Sequence, residues 1–218
     1  MQSTQDNSGK TTEQLVKEIL VSGYSQRFVD AVRDVLGIEG GHANDPLDRG
    51  GETKYGISLR FLVAEGKIDR DGDGFADFDL DMDGDIDGAD IRALTTGDAI
   101  WLYHEFFWKR YDCDSLRKPL GEALFDQAIN GGGYAAKTML QWAINALNQP
   151  DDLKIDGKIG SLTRAVLEAT IAREGMDRML EAYRDQVRFR YREIVRRHPS
   201  QKRFLNGWLS RANKLGKY

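Results

Sequence analysis

Five apolar patterns of helical period follow one another through residues 120–130, 134–148, 161–173, 176–197 and 201–214, and this succession constrains the fold more than any other feature. GGG, NQPDD, DGKIG and HPS separate them, residue types that end and restart helices. The second half is therefore expected to be helical throughout. In the first half, Ser25 is placed as the N-cap of a helix over 26–36, where Phe28, Val29, Val32, Val35 and Leu36 form one apolar face. Gly37 is expected to end that helix, which sets Glu39 just past its C-terminus. Thr53–Ser58 is short, β-favouring and bounded by glycine, the pattern of a small hairpin or sheet. Ser58–Glu65 reads as a short helix stopping at Gly66. Thr95 and Asp98 make a capping box for a helix over 96–109. Its aromatic face, with Trp101, Tyr103, Phe106, Phe107 and Trp108, reads first as core and second as a sugar platform. The fold class is mainly α with one small β element.

With 40% hydrophobic and 30% charged residues, the 218-residue chain can bury a core and is not a disordered polymer. No apolar run approaches the ~20 residues that span a bilayer. The opening MQSTQDNSGKTTEQ has no apolar core of a secretory signal, so the chain is expected in the cytoplasm of its producing cell until another factor releases it. Cys113 is the only cysteine. It excludes an internal disulfide and reads as an inert core residue.

The net charge of −4 conceals two opposed blocks. Residues 65–90 carry eleven acids against Lys67 and Arg70, a balance of −9, and residues 182–218 carry eleven Lys or Arg against Asp185 and Glu193, a balance of +9. The acidic block has calcium-loop register. Asp79, Asp81 and Asp83 occupy positions one, three and five, Gly84 the turn at six, Asp85 seven, Ile86 eight and Asp90 twelve, where Glu is usual. Asp69, Asp71, Asp73 and Gly74 begin the same pattern upstream, with Asp77 at nine, but Leu80 at twelve makes that loop degenerate. All these donors are hard oxygens, which favours Ca2+ over zinc, in a structural role. A solvated acidic loop is the competing reading. The basic block, from Arg184 to Arg197, interleaves arginine with Val187, Phe189, Tyr191, Ile194 and Val195. It reads as a solvated face or as a contact for anionic envelope polymers. No nucleic-acid recognition motif accompanies it.

Residues 39–58, EGGHANDPLDRGGETKYGIS, carry the chemistry. A glutamate opens a loop with a glycine pair at each end, Asp48 follows nine positions on, and Thr53 five beyond that. Glycoside hydrolysis needs one carboxyl group as proton donor and often a second carboxylate across the scissile bond. A free Glu, with pKa ~4.3, is ionised at neutral pH. Partial burial by an apolar wall is the ordinary way to keep such an acid protonated. Asp48 is the natural second carboxylate, steering a water or offsetting oxocarbenium charge, and Thr53 can hold that water. Turn capping by Asp48 and a plain strand role for Thr53 compete with these assignments. Asn44, Tyr55, Asp126 and Asn130 are candidate substrate contacts, with loop bracing for Asn44 and internal hydrogen bonding for Asp126 and Asn130 as alternatives.

The pattern EGG…N-P-x-D-x-GG-x-T-x-x-GI resembles the signature of the N-acetylmuramidases of glycoside hydrolase family 108, which include phage endolysins. DIRALTTGDAIWLYHEFFW, ALFDQAINGG, LQWAIN…DGKIGSLT and FLNGWLSR agree with it, the last two resembling the predicted peptidoglycan-binding region usually joined to this family. The likeness runs from about Phe28 to Arg211. It implies a lysozyme-like α-rich fold, cleavage of the β-1,4 bond between N-acetylmuramic acid and N-acetylglucosamine, and Glu39 as catalytic acid. His42 departs from an aromatic Tyr or Phe, and Ser58 from a common Thr. The expected organisation is an N-terminal segment 1–24, a muramidase region 25–115 with the Asp-rich insert at 68–91, and a helical peptidoglycan-binding-like region 116–218, in a monomer. Lytic transglycosylase, non-catalytic wall-binding scaffold and calcium-responsive module are the competing functions.

Overall fold

A computed structural model of the chain describes residues 23–39, 42–43, 51–148 and 153–217. Among them helices dominate, and the β structure is one three-stranded antiparallel sheet, so the fold is of the α-rich, lysozyme-like class. The chain divides into two compact units, Met1–Trp108 and Lys109–Tyr218.

In the first unit, α1 (Gln26–Glu39) begins at Ser25, whose hydroxyl accepts the Phe28 N–H at 3.2 Å. Phe28, Val29, Val32 and Val35 are buried, as the apolar face requires. The helix does not stop at Gly37. It runs on to Glu39, which is its last residue and not a residue beyond it. A glycine inside a helix costs about 1 kcal/mol relative to alanine, less than the four core side chains that α1 seats can offset. Strands β1 (His42–Ala43), β2 (Thr53–Lys54) and β3 (Ile57–Ser58) follow. His42 pairs with Lys54, Ala43 with Thr53, and Thr53 in turn with Ser58. Tyr55 and Gly56 join β2 to β3 with φ of 52° and 76°. Two positive φ values in a two-residue loop define a turn whose twist matches the flanking strands. A left-handed Tyr costs roughly 1–2 kcal/mol. The buried Tyr103 hydroxyl donates to the Tyr55 carbonyl at 2.6 Å and helps hold it there.

Ser58, read from the sequence as the first residue of this helix, instead caps α2 (Leu59–Glu65) by accepting the Phe61 N–H, and Gly66 closes it where the sequence predicts. The Asp-rich segment has no regular structure until α3 (Gly88–Ala93), yet Phe78 and Ile86 anchor it in the core. The capping boxes Asp87/Asp90 on α3 and Thr95/Asp98 on α4 (Thr96–Tyr103) are both complete. The single helix expected over 96–109 is α-helical only to Tyr103, and His104–Lys109 widens into a π-helical turn. That turn buries the adjacent Phe107 and Trp108 together, Phe107 against Phe61 and Trp108 against Phe28.

In the second unit a 3-10 turn at Cys113–Ser115 leads into α5 (Leu120–Gly131), α6 (Gly133–Leu147), α7 (Ser161–Glu174), α8 (Met176–Arg197), a 3-10 turn at Pro199–Phe204 and α9 (Leu205–Lys214). α8 is the central helix, packing on α6, α7 and α9. Its Met179, Leu180, Tyr183, Val187 and Tyr191 recur every three or four residues and are buried. Cys113 is buried.

Candidate active site

The expected catalytic residues fall around the β1–β2 hairpin. Glu39 ends α1, three residues before His42, and His42 pairs with Lys54. With ~3.8 Å between successive Cα atoms, Glu39 cannot lie far from this pairing. Its side chain, like Asn44 and Asp48, lies outside what the structure describes. Thr53 sits between Ala43 and Ser58 in the middle strand, half-buried, and its hydroxyl donates to the Gly51 carbonyl at 3.2 Å. With its proton committed, that oxygen keeps lone pairs that can accept a hydrogen bond from a water. Tyr55 is half-buried in the β2–β3 turn, with Lys54 Nζ 5.3 Å from its ring centroid.

Strand alternation turns Lys54 away from Thr53 and inward, where it is 8% exposed. Its ammonium donates to the Arg92 carbonyl at the end of α3. Glu52 accepts from Arg92 Nη1 with both carboxylate oxygens, at 2.9 and 3.0 Å. The hairpin bearing Thr53 is thus tied twice to the helix that leaves the Asp-rich segment. Sequence reading missed Lys54, Glu52 and Arg92, because a lysine in a short strand reads as solvent-facing and its partner lies 38 residues away.

Within the Asp-rich segment, ligand-type oxygens of Asp79, Asp81 and Asp83 lie within 4.8 Å of one another, and so do those of Asp69, Asp71 and Asp77. Both loops turn the same way. Gly74 N–H donates to Asp69 at 3.2 Å and Gly84 N–H to Asp79 at 2.9 Å, with φ of 94° and 99° that favour glycine. Asp90 is buried, and its oxygens accept the N–H groups of Leu80 and Asp87 at 2.6 and 2.8 Å. Asp73, Asp85 and Asp90 fall outside the two carboxylate groupings among the described residues. Burial and then the charges of Asp83 and Asp90 push the Asp81 carboxyl up. The charge of Asp83, followed by burial and Asp87, does the same to Asp85. Asp77 moves the other way. Burial would raise it, but hydrogen bonds and charge from Arg70 outweigh that and hold it low. Arg70 also lies over the Trp101 ring at 4.0 Å.

In the second unit, Asp126 on α5 is 5% exposed and faces Arg211 Nε of α9 at 3.0 Å. Asn130 Nδ2 donates to the Asp126 carbonyl at 2.8 Å. The internal hydrogen bonding weighed for this pair is present. Several arginines of α8 are likewise engaged: Arg184 and Arg188 with Glu181, Arg188 also with Asp185, and Arg196 with Glu193. Glu181 is held low by hydrogen bonds from Arg188 and Arg184. Arg184 is moreover buried, its Nε donating to the Leu215 carbonyl at 2.8 Å.

Residues 32–132 match the family model described as Glycosyl hydrolase 108, and residues 135–213 match the Predicted Peptidoglycan domain. Residues 32–132 are thus a glycosyl hydrolase 108 domain and residues 135–213 a peptidoglycan domain, and the chain is a peptidoglycan hydrolase. The first match continues beyond Trp108, where the compact units divide, to include α5. The solved structure titled "Structure of Brucella abortus SagA" is similar at 27% identity and a TM-score of 0.64, covering 87% of this chain and 91% of that one. No curated protein matches. Among the described residues, no helix is long and apolar enough to cross a membrane.

Proposed function

We propose that the chain is an N-acetylmuramidase that hydrolyses the β-1,4 bond between N-acetylmuramic acid and N-acetylglucosamine, with Glu39 as the general acid. The observation that carries this reading is the position of Glu39, inside the glycosyl hydrolase 108 match and at the end of α1 where the chain enters the sheet. Glu39 protonates the departing sugar oxygen. Asp48, in the segment joining β1 to β2, stabilises the developing positive charge or takes a proton from water. Thr53 accepts a hydrogen bond from that water and fixes its position. Asn44 and Tyr55 contact the sugars flanking the bond. Mass spectrometry of digested peptidoglycan tests the reaction type. Fragments ending in reducing muramic acid are expected, and anhydro ends in their place would assign a lytic transglycosylase.

The Asp-rich segment is read as a structural calcium site, with Asp79, Asp81 and Asp83 as the principal ligands of the second loop. Hard carboxylate oxygens at this spacing suit Ca2+. Bound there, the ion would supply positive charge to a segment whose acids repel one another. Asp85, Asp90 and the weaker loop of Asp69, Asp71, Asp73 and Asp77 complete the acidic set. Without a cation the raised carboxyls of Asp81 and Asp85 bind more protons folded than unfolded. Stability from these two groups therefore falls as pH rises through and just above the carboxylate range. Millimolar calcium is expected to raise the thermal midpoint at pH 7 and to flatten that decline, and Asp79→Asn to abolish both effects. A melting curve indifferent to calcium and chelator at every pH removes the site. Of the basic block, the exposed Arg190 and Arg192 on α8 remain the best contacts for anionic envelope polymers.

A further inference from the structure

We propose that Tyr134 and Trp142 on α6, with the loop 153–160, form a glycan-binding platform in the C-terminal domain, taking a β-1,4-linked peptidoglycan strand. This rests on the peptidoglycan reading above and names the surface that performs it.

Positions 134, 138, 142 and 146 lie four apart along α6 and form its outer stripe. Tyr134 is 67% and Trp142 53% exposed. No charged side chain occupies the stripe, whereas the exposed positions of α8 are charged except at Phe189. Two large aromatics on such a face stand outside the usual polar coat of a helix. Eight residues separate them, about 12 Å along the axis at ~1.5 Å per residue, a span suited to a short oligosaccharide. Aromatic rings with one apolar face free stack on the C–H faces of sugars while their polar edges stay wet.

Tyr134 is also held. A Cβ on Gly157 would come within 2.8 Å of ring atoms Cδ2 and Cε2, so the ring lies directly against that glycine, whose φ is +71°. Gly157 is fixed in turn by Gln141, buried beneath the loop. The Gln141 amide accepts from the N–H groups of Asp156 and Gly157 at 3.1 and 2.8 Å, and donates to Asp156 Oδ1 and the Lys158 carbonyl at 3.0 and 3.1 Å. Asn145 clamps the start of the same loop through both the N–H and the carbonyl of Leu153. A ring seated on a braced loop loses little freedom on binding. The loop carries Lys154 and Lys158, both exposed, and α6 adds Lys137 one position before the stripe residue Thr138. Peptidoglycan supplies the complementary charge in its lactyl-linked peptide carboxylates. The family match over 135–213 includes Trp142, Gln141 and the whole loop, and begins one residue after Tyr134. A neutral aromatic face bordered by lysines suits an anionic glycan better than a nucleic acid, for which no phosphate-binding arginine lies on this stripe.

The test compares full-length parent, Tyr134→Ala/Trp142→Ala, Tyr134→Trp and Gly157→Ala for co-sedimentation with purified insoluble peptidoglycan sacculi on ice. The double variant is expected to bind at least about tenfold more weakly, Gly157→Ala to bind more weakly by displacing the ring, and Tyr134→Trp to bind as the parent does. Because both aromatics are exposed, the double variant is expected to melt with the parent. In parallel, soluble glycan fragments should change the parent's tryptophan emission, and that change should vanish in Trp142→Phe. A double variant that sediments like the parent overturns the platform, as does an emission change identical in parent and Trp142→Phe. A parent that does not sediment at all overturns the peptidoglycan reading itself.

Discussion

Glu39→Gln is expected to slow the release of reducing ends from purified peptidoglycan by at least ~100-fold, with the thermal midpoint unchanged. The substitution keeps the shape and polarity of the side chain and deletes the proton that the proposed role requires. General acid catalysis by a positioned side chain contributes ~10²–10⁴ in rate, so a loss in that range is the signature of the role. Glu39 is the last residue of α1, where the buried side chains near its start and middle, and not the terminal residue, hold the helix in place. Stability and turnover should therefore separate cleanly. Clearing of a wall suspension at the parent's rate by the Gln variant would remove Glu39 from the chemistry.

Asp126→Ala is expected to destabilise the second unit by about 3–5 kcal/mol, the cost of removing one partner from a buried ion pair. The side chains of Arg211 and Asp126 are 15% and 8% exposed, and they join α5 to α9. Beside them Tyr191 donates to Gln127 at 3.2 Å and stacks on Trp208 with ring centroids 5.3 Å apart. Urea unfolding followed by tryptophan fluorescence thus has a probe, Trp208, within the affected region. Asp126→Asn keeps an acceptor for Arg211 and should lose less. The same pair of variants decides between the two roles that sequence allows Asp126. Unchanged urea midpoints combined with weaker binding to sacculi would make it a substrate contact and not a structural one.

The helices were legible because apolar spacing and caps agree. Ser25, Thr95 and Asp98 bond where their residue types predict. Gly37 misled, because the cost of one glycine is local while the benefit of the helix is summed along its face. The π-helical turn at 104–109 was illegible, since HEFFWK has the same residues whichever way the backbone winds. The charge of the basic block overstated its freedom. Glu181 lies one residue before that window, and its two arginine partners are visible only once α8 is built. At the candidate active site, residue types and order nominate Glu39, Asp48 and Thr53, two of which have side chains outside the described residues. The inward turn of Lys54 depends on α3, which the sequence places far away.

Gly66 packs against Phe78 and Ile86, α2 against α3, and Arg92 is held to the hairpin by Glu52 and Lys54. Both ends of the stretch from Gly66 to Asp87 therefore arrive at one place. Closing a loop costs only slowly more as it lengthens, so the exposed turns between these anchors should tolerate changes in length. The acidic stretch is in that sense a cassette pinned at Phe78 and Ile86: its exposed turns, 69–75 and 81–85, can be edited while the two pins stay, leaving room to graft a reporter beside the hairpin.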